Sequence, residues 1–287
     1  MAILVLVAGL AASSGGSTAK SSNAGAGGGA KAKGQPKCGD TITADTTLHK
    51  DLLNCPGNGI VIGADNITLD LNGHLIDGDG APTPGCNNDT EFCDVGLVNE
   101  RHDGVTVMDG SIRQFGGGVD LFGVRQNRLL DISTSDNHFI GIQAFSTSQS
   151  LVRDSSGTGP NEEIGVGLFS SHQVRIVHNS FRKNAVSGIN ISGGGRNVLD
   201  RNDISAAGKN GVFVDAEAKH TLLRRNRAVR SKDDGFDIES STTKLTKNRA
   251  LRNRDLGIEA VLGVIDGGGN IAHHNGDPRQ CTHIACS

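Results

Sequence analysis

Apolar and polar side chains alternate along this chain in short runs, not in helical stripes. Gly188-Ile189-Asn190-Ile191-Ser192, Gly211-Val212-Phe213-Val214-Asp215 and Gly235-Phe236-Asp237-Ile238-Glu239 each place apolar residues one and three positions after a glycine. A period of two over so short a run predicts a strand with one buried face. The glycines recur at positions 59, 96, 118, 141, 165, 188, 211, 235 and 257, and after the first interval they stand 22 to 24 residues apart. An Asn or Asp follows in each unit: Asn72, Asp109, Asp131, Asp154, Asn179, Asn202, Asn226, Asn248 and Asn270. Two markers in phase mean one structural unit repeated.

Further short strands surround each Asn or Asp, as in Ile67-Thr68-Leu69-Asp70 before and Arg227-Ala228-Val229 after. The units lack the 3.6-residue period of a helix and carry too few leucines for a leucine-rich horseshoe. Three strands per unit predict an all-β chain, a single right-handed parallel β-helix of about nine or ten coils. The Asn side chains are expected to form a hydrogen-bonded ladder at a left-handed corner. The glycines suit a second corner, where φ is positive or backbones approach closely.

The stretch Cys38-Gly39-Asp40-Thr41-Ile42-Thr43, with Cys55-Pro56-Gly57 and Asn66-Ile67-Thr68-Leu69-Asp70-Leu71-Asn72-Gly73-His74, strongly resembles the opening of secreted bacterial right-handed β-helix repeat proteins. The resemblance covers residues 38–287 and implies fold and export. Its family mixes polysaccharide lyases, epimerases and surface proteins, so activity has to be read elsewhere.

Residues 1–19 read as a secretory signal, with an apolar core and the small-residue exit Ser17-Thr18-Ala19 but no basic start. They are too short to span a membrane. Residues 20–37, rich in Gly, Ala, Ser and Lys, read as a flexible linker. Six cysteines fall in three local pairs, and short separations favour Cys38–Cys55, Cys86–Cys93 and Cys281–Cys286 as disulfides. Such bridges would staple the two ends and the insertion at 79–95, and they agree with a secreted, oxidising location.

Net charge is −3, from 28 basic and 31 acidic residues, so no global field selects nucleic acid. Trp and Tyr are absent, which removes the commonest sugar-stacking and base-stacking side chains. In a stacked solenoid any site appears as a column of residues at one repeat offset. Two positions after the glycines the column reads Val98, Asp120, Gln143, Gly167, Asn190, Phe213, Asp237, Glu259. Four positions after, it contains Phe122, Phe145 and Phe169, then Asp215 and Glu239. Outward, the three phenylalanines would make a stacking ridge for sugars or a partner; turned inward, they would fill the core as an aromatic ladder, the favoured expectation since an exposed apolar ridge is costly. A basic column with Arg225, Arg227, Arg230, Lys247, Arg249 and Arg252 reads either as a polyanion surface or as a solvated face.

Asp215, Asp237, Glu239 and Glu259 thus gather on one face, with Asp233 and Asp234 at the corner before Gly235. Close carboxylates repel unless a cation or a shared proton compensates, and hard oxygen ligands suit Ca²⁺. The segment Asp233-Asp234-Gly235-Phe236-Asp237 resembles the calcium-binding coil of family 9 pectate lyases. That resemblance implies Asp233, Asp234 and Asp237 as Ca²⁺ ligands, Asp215 as a fourth, and a lysine base near the place that Glu259 holds here. Lys232, Lys244 and His220 are nearby, but none matches that place. Glu239 and Glu259 would flank the substrate. The competing reading makes Asp233-Asp234-Gly235 a plain turn.

These features lead to two expectations. One is a secreted protein that binds or processes an extracellular acidic polysaccharide, as a Ca²⁺-dependent lyase or epimerase if catalytic. The other is a non-catalytic cell-surface or cell-wall rod. A role in copper delivery is disfavoured by only two Met and by the pairing of every Cys.

Overall fold

The computed structural model describes residues 34–81, 94–159 and 163–287. The expected signal segment, most of the linker and the Cys86–Cys93 bridge lie outside these residues. Every regular element among the described residues is a strand, and every pairing between strands is parallel. The chain winds as a right-handed parallel β-helix with three faces. The first face, here sheet 1, runs through ten coils from Asp40–Ile42 to Ile258–Ala260. Sheet 2 follows it around the coil, for example at Arg175–Val177 and Leu222–Arg224. Sheet 3 closes the coil, for example at Ser180–Arg182, Arg227–Val229 and Arg249–Leu251. Two long strands, Thr106–Arg113 and Arg128–Ser135, bend through sheets 2 and 3 without a break.

The alternating pattern becomes a packed column. Ile60, Leu97, Val119, Ile142, Val166, Ile189, Val212, Phe236 and Ile258 stand in register on sheet 1, all inward and all fully buried. Each covers the next about 4.8 Å away, so burial accumulates one-dimensionally. The glycine before each inward residue is required by close approach, not by φ. A Cβ at Gly211 would lie 2.5 Å from the Gly235 carbonyl oxygen, and one at Gly235 2.5 Å from that of Gly257.

The asparagine ladder is present between sheets 2 and 3. From Asn179 through Asn202, Asn226 and Asn248 to Asn270, each backbone N–H and each Nδ2 donates to the next Oδ1 at 2.9–3.2 Å. Its geometry differs from the sequence expectation in one respect. The left-handed residue is the one before the rung, at His178, Arg201, Arg225 and Lys247. On earlier coils Asp131 and Asp154 are themselves the left-handed residues. Ser155 supplies the rung after Asp154, its Oγ accepting from Ile132 N–H at 3.1 Å.

The phenylalanines correct a second expectation. Phe122, Phe145 and Phe169 share the parity of outward residues and stand half-buried on the outer face of sheet 1. They limit their exposure by covering one another and the notch beside them. Phe122 and Phe145 stack with ring centroids 5.3 Å apart and planes at 6°, while the Phe169 ring fills the space where Gly167 would carry a Cβ. Disulfides Cys38–Cys55 and Cys281–Cys286 tie the two ends.

Candidate functional site

Where sheet 3 turns into sheet 1, the residue before the strand glycine acts as a rung on some coils. Asn58 Oδ1 accepts the Val95 N–H at 2.9 Å, and Asn210 Oδ1 accepts the Asp234 N–H at 3.2 Å. Asp234 Oδ1 in turn accepts the Leu256 N–H at 2.8 Å. Asp234 therefore takes a place that an asparagine fills one coil earlier, and it is buried there.

Asp237 follows three residues later. Its neighbours Phe236 and Ile238 point into the core, so Asp237 points outward, half-buried, between Phe213 and Glu259 in register. Asn210 Nδ2 donates to its Oδ2 at 2.8 Å. One oxygen from each of Asp234, Asp237 and Glu259 lies within 4.8 Å of the others, and the same holds for Asp233, Asp234 and Asp255. Asp234 belongs to both groups, so it is the centre of the cluster.

The electrostatics follow from this crowding. Burial pushes Asp234 up to about 8, with the Asp233 and Glu259 carboxylates adding to the effect. Burial likewise raises Asp237 to about 6, helped by Glu239, Glu259 and Asp233 and opposed by the Asn210 amide. A proton or a cation has to relieve such a set. An ion bonding at about 2.4 Å can bridge oxygens this far apart, and an all-oxygen donor set matches Ca²⁺. The residues present therefore fit a hard divalent cation.

The other sequence candidates fall differently. Asp215 Oδ1 receives three backbone N–H groups, from Gly193, Glu217 and Ala218, at 2.9–3.0 Å. It closes a turn and enters neither oxygen group. Glu239 is exposed and acts on Asp237 through its charge. Lys232, Lys244 and His220 are exposed, and no ion pair among the described residues ties them to the cluster.

Two participants escaped the sequence reading. Asp255 stands two residues before Gly257, as Asp233 stands before Gly235, so aligning the coils on their glycines would have found it. Asn210 stands directly before Gly211, as Asp234 stands before Gly235, and the same alignment would have found it. Farther along the same outer column Gln143 Nε2 donates to Asp120 Oδ1 at 3.2 Å. Burial pushes Asp120 up to about 6, with Glu100 adding its charge.

A family model described as right handed beta helix region matches residues 158–277. No curated protein matches the chain. Among solved structures, the periplasmic alginate epimerase AlgG superposes with a TM-score of 0.59 at 14% identity, over 86% of this chain and 73% of that one. The Azotobacter vinelandii mannuronan C-5 epimerase AlgE4 A-module gives 0.56 at 13%, over 90% and 88%. The catalytic domain of a GH87 alpha-1,3-glucanase in complex with nigerose gives 0.55 at 11%, over 88% of this chain but only 62% of that domain. Of a double mutant of AlgG the chain spans 57%. At such identities the likeness is one of fold.

Proposed function

We propose that this chain is an exported protein that binds and processes an acidic polysaccharide on the outer face of sheet 1. The observation that carries the reading is the carboxylate cluster: Asp234, Asp237 and Glu259 with oxygens within 4.8 Å, centred on a buried acid. Fold alone never assigns chemistry, but it supports the substrate class, because two similar structures are named as epimerases of alginate or mannuronan and a third holds a sugar. Export is supported by the two disulfides, which persist in oxidising compartments. No helix among the described residues is long and apolar enough to cross a membrane.

Asp233, Asp234, Asp237 and Glu259 would hold Ca²⁺, with Asp255 at the edge. A bound Ca²⁺ supplies charge that neutralises a uronate carboxylate and acidifies the proton beside it. The chain's own contribution is proton control. Between about pH 6 and 8 the cation-free cluster keeps Asp234 protonated while Asp237 is ionised, an acid beside a base. Asp237, outward and held by Asn210, is the member that faces a bound chain. Proton and cation compete for the same oxygens.

The rival reading is a non-catalytic rod. It is favoured by the use of Asp215 Oδ1 and Asp234 Oδ1 as acceptors for backbone amides, a purely structural duty. Wild type and Asp237→Ala should be incubated with pectate and alginate, with Ca²⁺ and with chelator. Ultraviolet absorbance reads unsaturated uronide, and proton NMR reads epimerised residues. Product that needs Asp237 supports processing. Silence in both readouts, with no Ca²⁺-induced thermal stabilisation, leaves the rod.

A further inference from the structure

Across the corner from the acidic cluster lies a feature of opposite sign. On the outer face of sheet 3, Arg227 stands in register with Arg249, and Val229 with Leu251 and then His273. The corner residues that follow these strands are Arg230, Arg252 and His274. Arg227, Arg230, Arg252, His273 and His274 wall a cleft of about 370 Å³ whose floor is Val229 and Leu251.

Of the arginines in this cleft, Arg230 and Arg252 are not balanced by an acid of the protein, whereas Arg227 is. Nearby cations find acids: Arg201, Arg224 and Arg225 approach the buried Asp200 within 4.0, 2.9 and 3.9 Å, and Arg227 holds Asp203 at 2.8 Å. Arg230, Arg249 and Arg252 have no acidic partner within 4.0 Å among the described residues. Coils spaced about 4.8 Å apart stack Arg230 over Arg252 and Arg227 over Arg249, and like charges at that spacing repel unless an anion lies among them.

Folding does not ask for these cations. The same left-handed corner is Gln114, Asp136, Lys183 and Ala206 on earlier coils, so the turn accepts a neutral or an acidic side chain as well as a basic one. The outward floor residue Val229 is nonetheless buried, at 5% exposure, as it would be beneath the aliphatic stems of flanking arginines.

We propose that this cleft anchors an anionic polysaccharide, its carboxylate or sulfate groups held by Arg230 and Arg252 and its apolar ring edges lying on Val229 and Leu251. Guanidinium forks bind either oxyanion through paired hydrogen bonds. The cleft has no Phe, Tyr or Trp, the rings on which bases stack most often, so nucleic acid is the poorer fit. The anchor holds whether or not the acidic cluster is catalytic.

The test is calorimetric binding of polygalacturonate, dextran sulfate, neutral dextran and oligothymidylate across a salt series. Wild type is compared with the double variant Arg230→Gly, Arg252→Gly. Glycine is chosen because φ is 59° and 57° at these positions, a region glycine adopts freely. The expected result is binding of one or both acidic polymers but not of dextran. Affinity should fall at least tenfold in the double variant, with a melting temperature equal to or above that of wild type. The polymer bound separates carboxylate from sulfate recognition. Unchanged affinity in the double variant overturns the inference, as does equal binding of dextran, tighter binding of oligothymidylate, or no binding of either acidic polymer. A loss seen in Asp237→Ala and not in the double variant also overturns it, and leaves the proposed function on sheet 1 standing.

Discussion

Asn210 and Asp234 occupy successive rungs of one corner, with the Asn210 Oδ1 accepting the Asp234 N–H at 3.2 Å and Asp234 repeating the same bond to Leu256. An amide and a carboxyl thus do the same structural work one coil apart. Only the second can also bring a negative charge to a cation. Asp234→Asn keeps the acceptor and removes the charge. The fold should survive it, with a cation-free melting temperature at or above that of wild type, because asparagine can be buried there without the proton uptake that the raised Asp234 needs near neutral pH. Calcium-induced stabilisation, which follows mass action in wild type, should fall at least severalfold. Thermal unfolding over a Ca²⁺ titration reads both, and an identical response in variant and wild type removes Asp234 from any metal site.

Cation-free stability should fall as pH rises. The folded-state values of Asp237 and Asp234, about 6 and about 8, lie above the unfolded reference of about 3.9. The folded protein therefore binds more protons than the unfolded chain between about pH 4 and 8, and its stability declines with pH across that window. The benefit is complete below about pH 4 and is lost as pH passes through the folded values. Asp120 adds to the same decline near pH 6. Asp237→Asn should flatten the curve by about 1–2 kcal/mol, a figure already reduced for partial exposure. Unfolding in chelator at several pH values checks this, and a stability that climbs with pH from 5 to 8 would contradict it.

Asn226 is a fully engaged rung of the ladder, as Asn202 and Asn248 are. Its Oδ1 accepts two bonds from Asn202, and its Nδ2 donates to Leu199 O and to Asn248 Oδ1. Asn226→Ala leaves buried donors and an acceptor without partners and should cost about 3 kcal/mol. Denaturant unfolding measures the loss. Lys247, exposed and outside the ladder proper, should tolerate alanine far better.

Gly235→Ala tests the glycine column. The new Cβ would sit 2.5 Å from Gly257 O and 2.6 Å from Asn253 Nδ2, so coils have to separate at the candidate site. About 2–3 kcal/mol of destabilisation is expected. Gly57→Ala, whose Cβ meets nothing within 4 Å, is the matched control. Equal melting temperatures for the two variants would mean that the coils yield more easily than their packing suggests.

The sequence by itself determined the solenoid. A glycine, two inward residues and an asparagine repeat once per coil because each coil buries its apolar side chains only against its neighbours, so the same local demands recur at one spacing. The outward column from Val98 to Glu259 was legible for the same reason, since parity along a strand fixes which face a residue takes. The tertiary structure decided what repeat offset alone leaves open. It placed Phe122 and Phe145 outside, where ring stacking reduces their exposure, and it moved the left-handed residue to the position before the asparagine from Asn179 to Asn270. It also separated carboxylates that look equivalent in sequence. Asp215 spends an oxygen on two amides of its own turn and one of the preceding coil, whereas Asp234 is buried among Asp233, Asp237, Asp255 and Glu259. Whether an acid is a turn acceptor or the centre of a charged cluster depends on which backbone amides and which neighbouring coils reach it, and those contacts exist only once the coils are stacked.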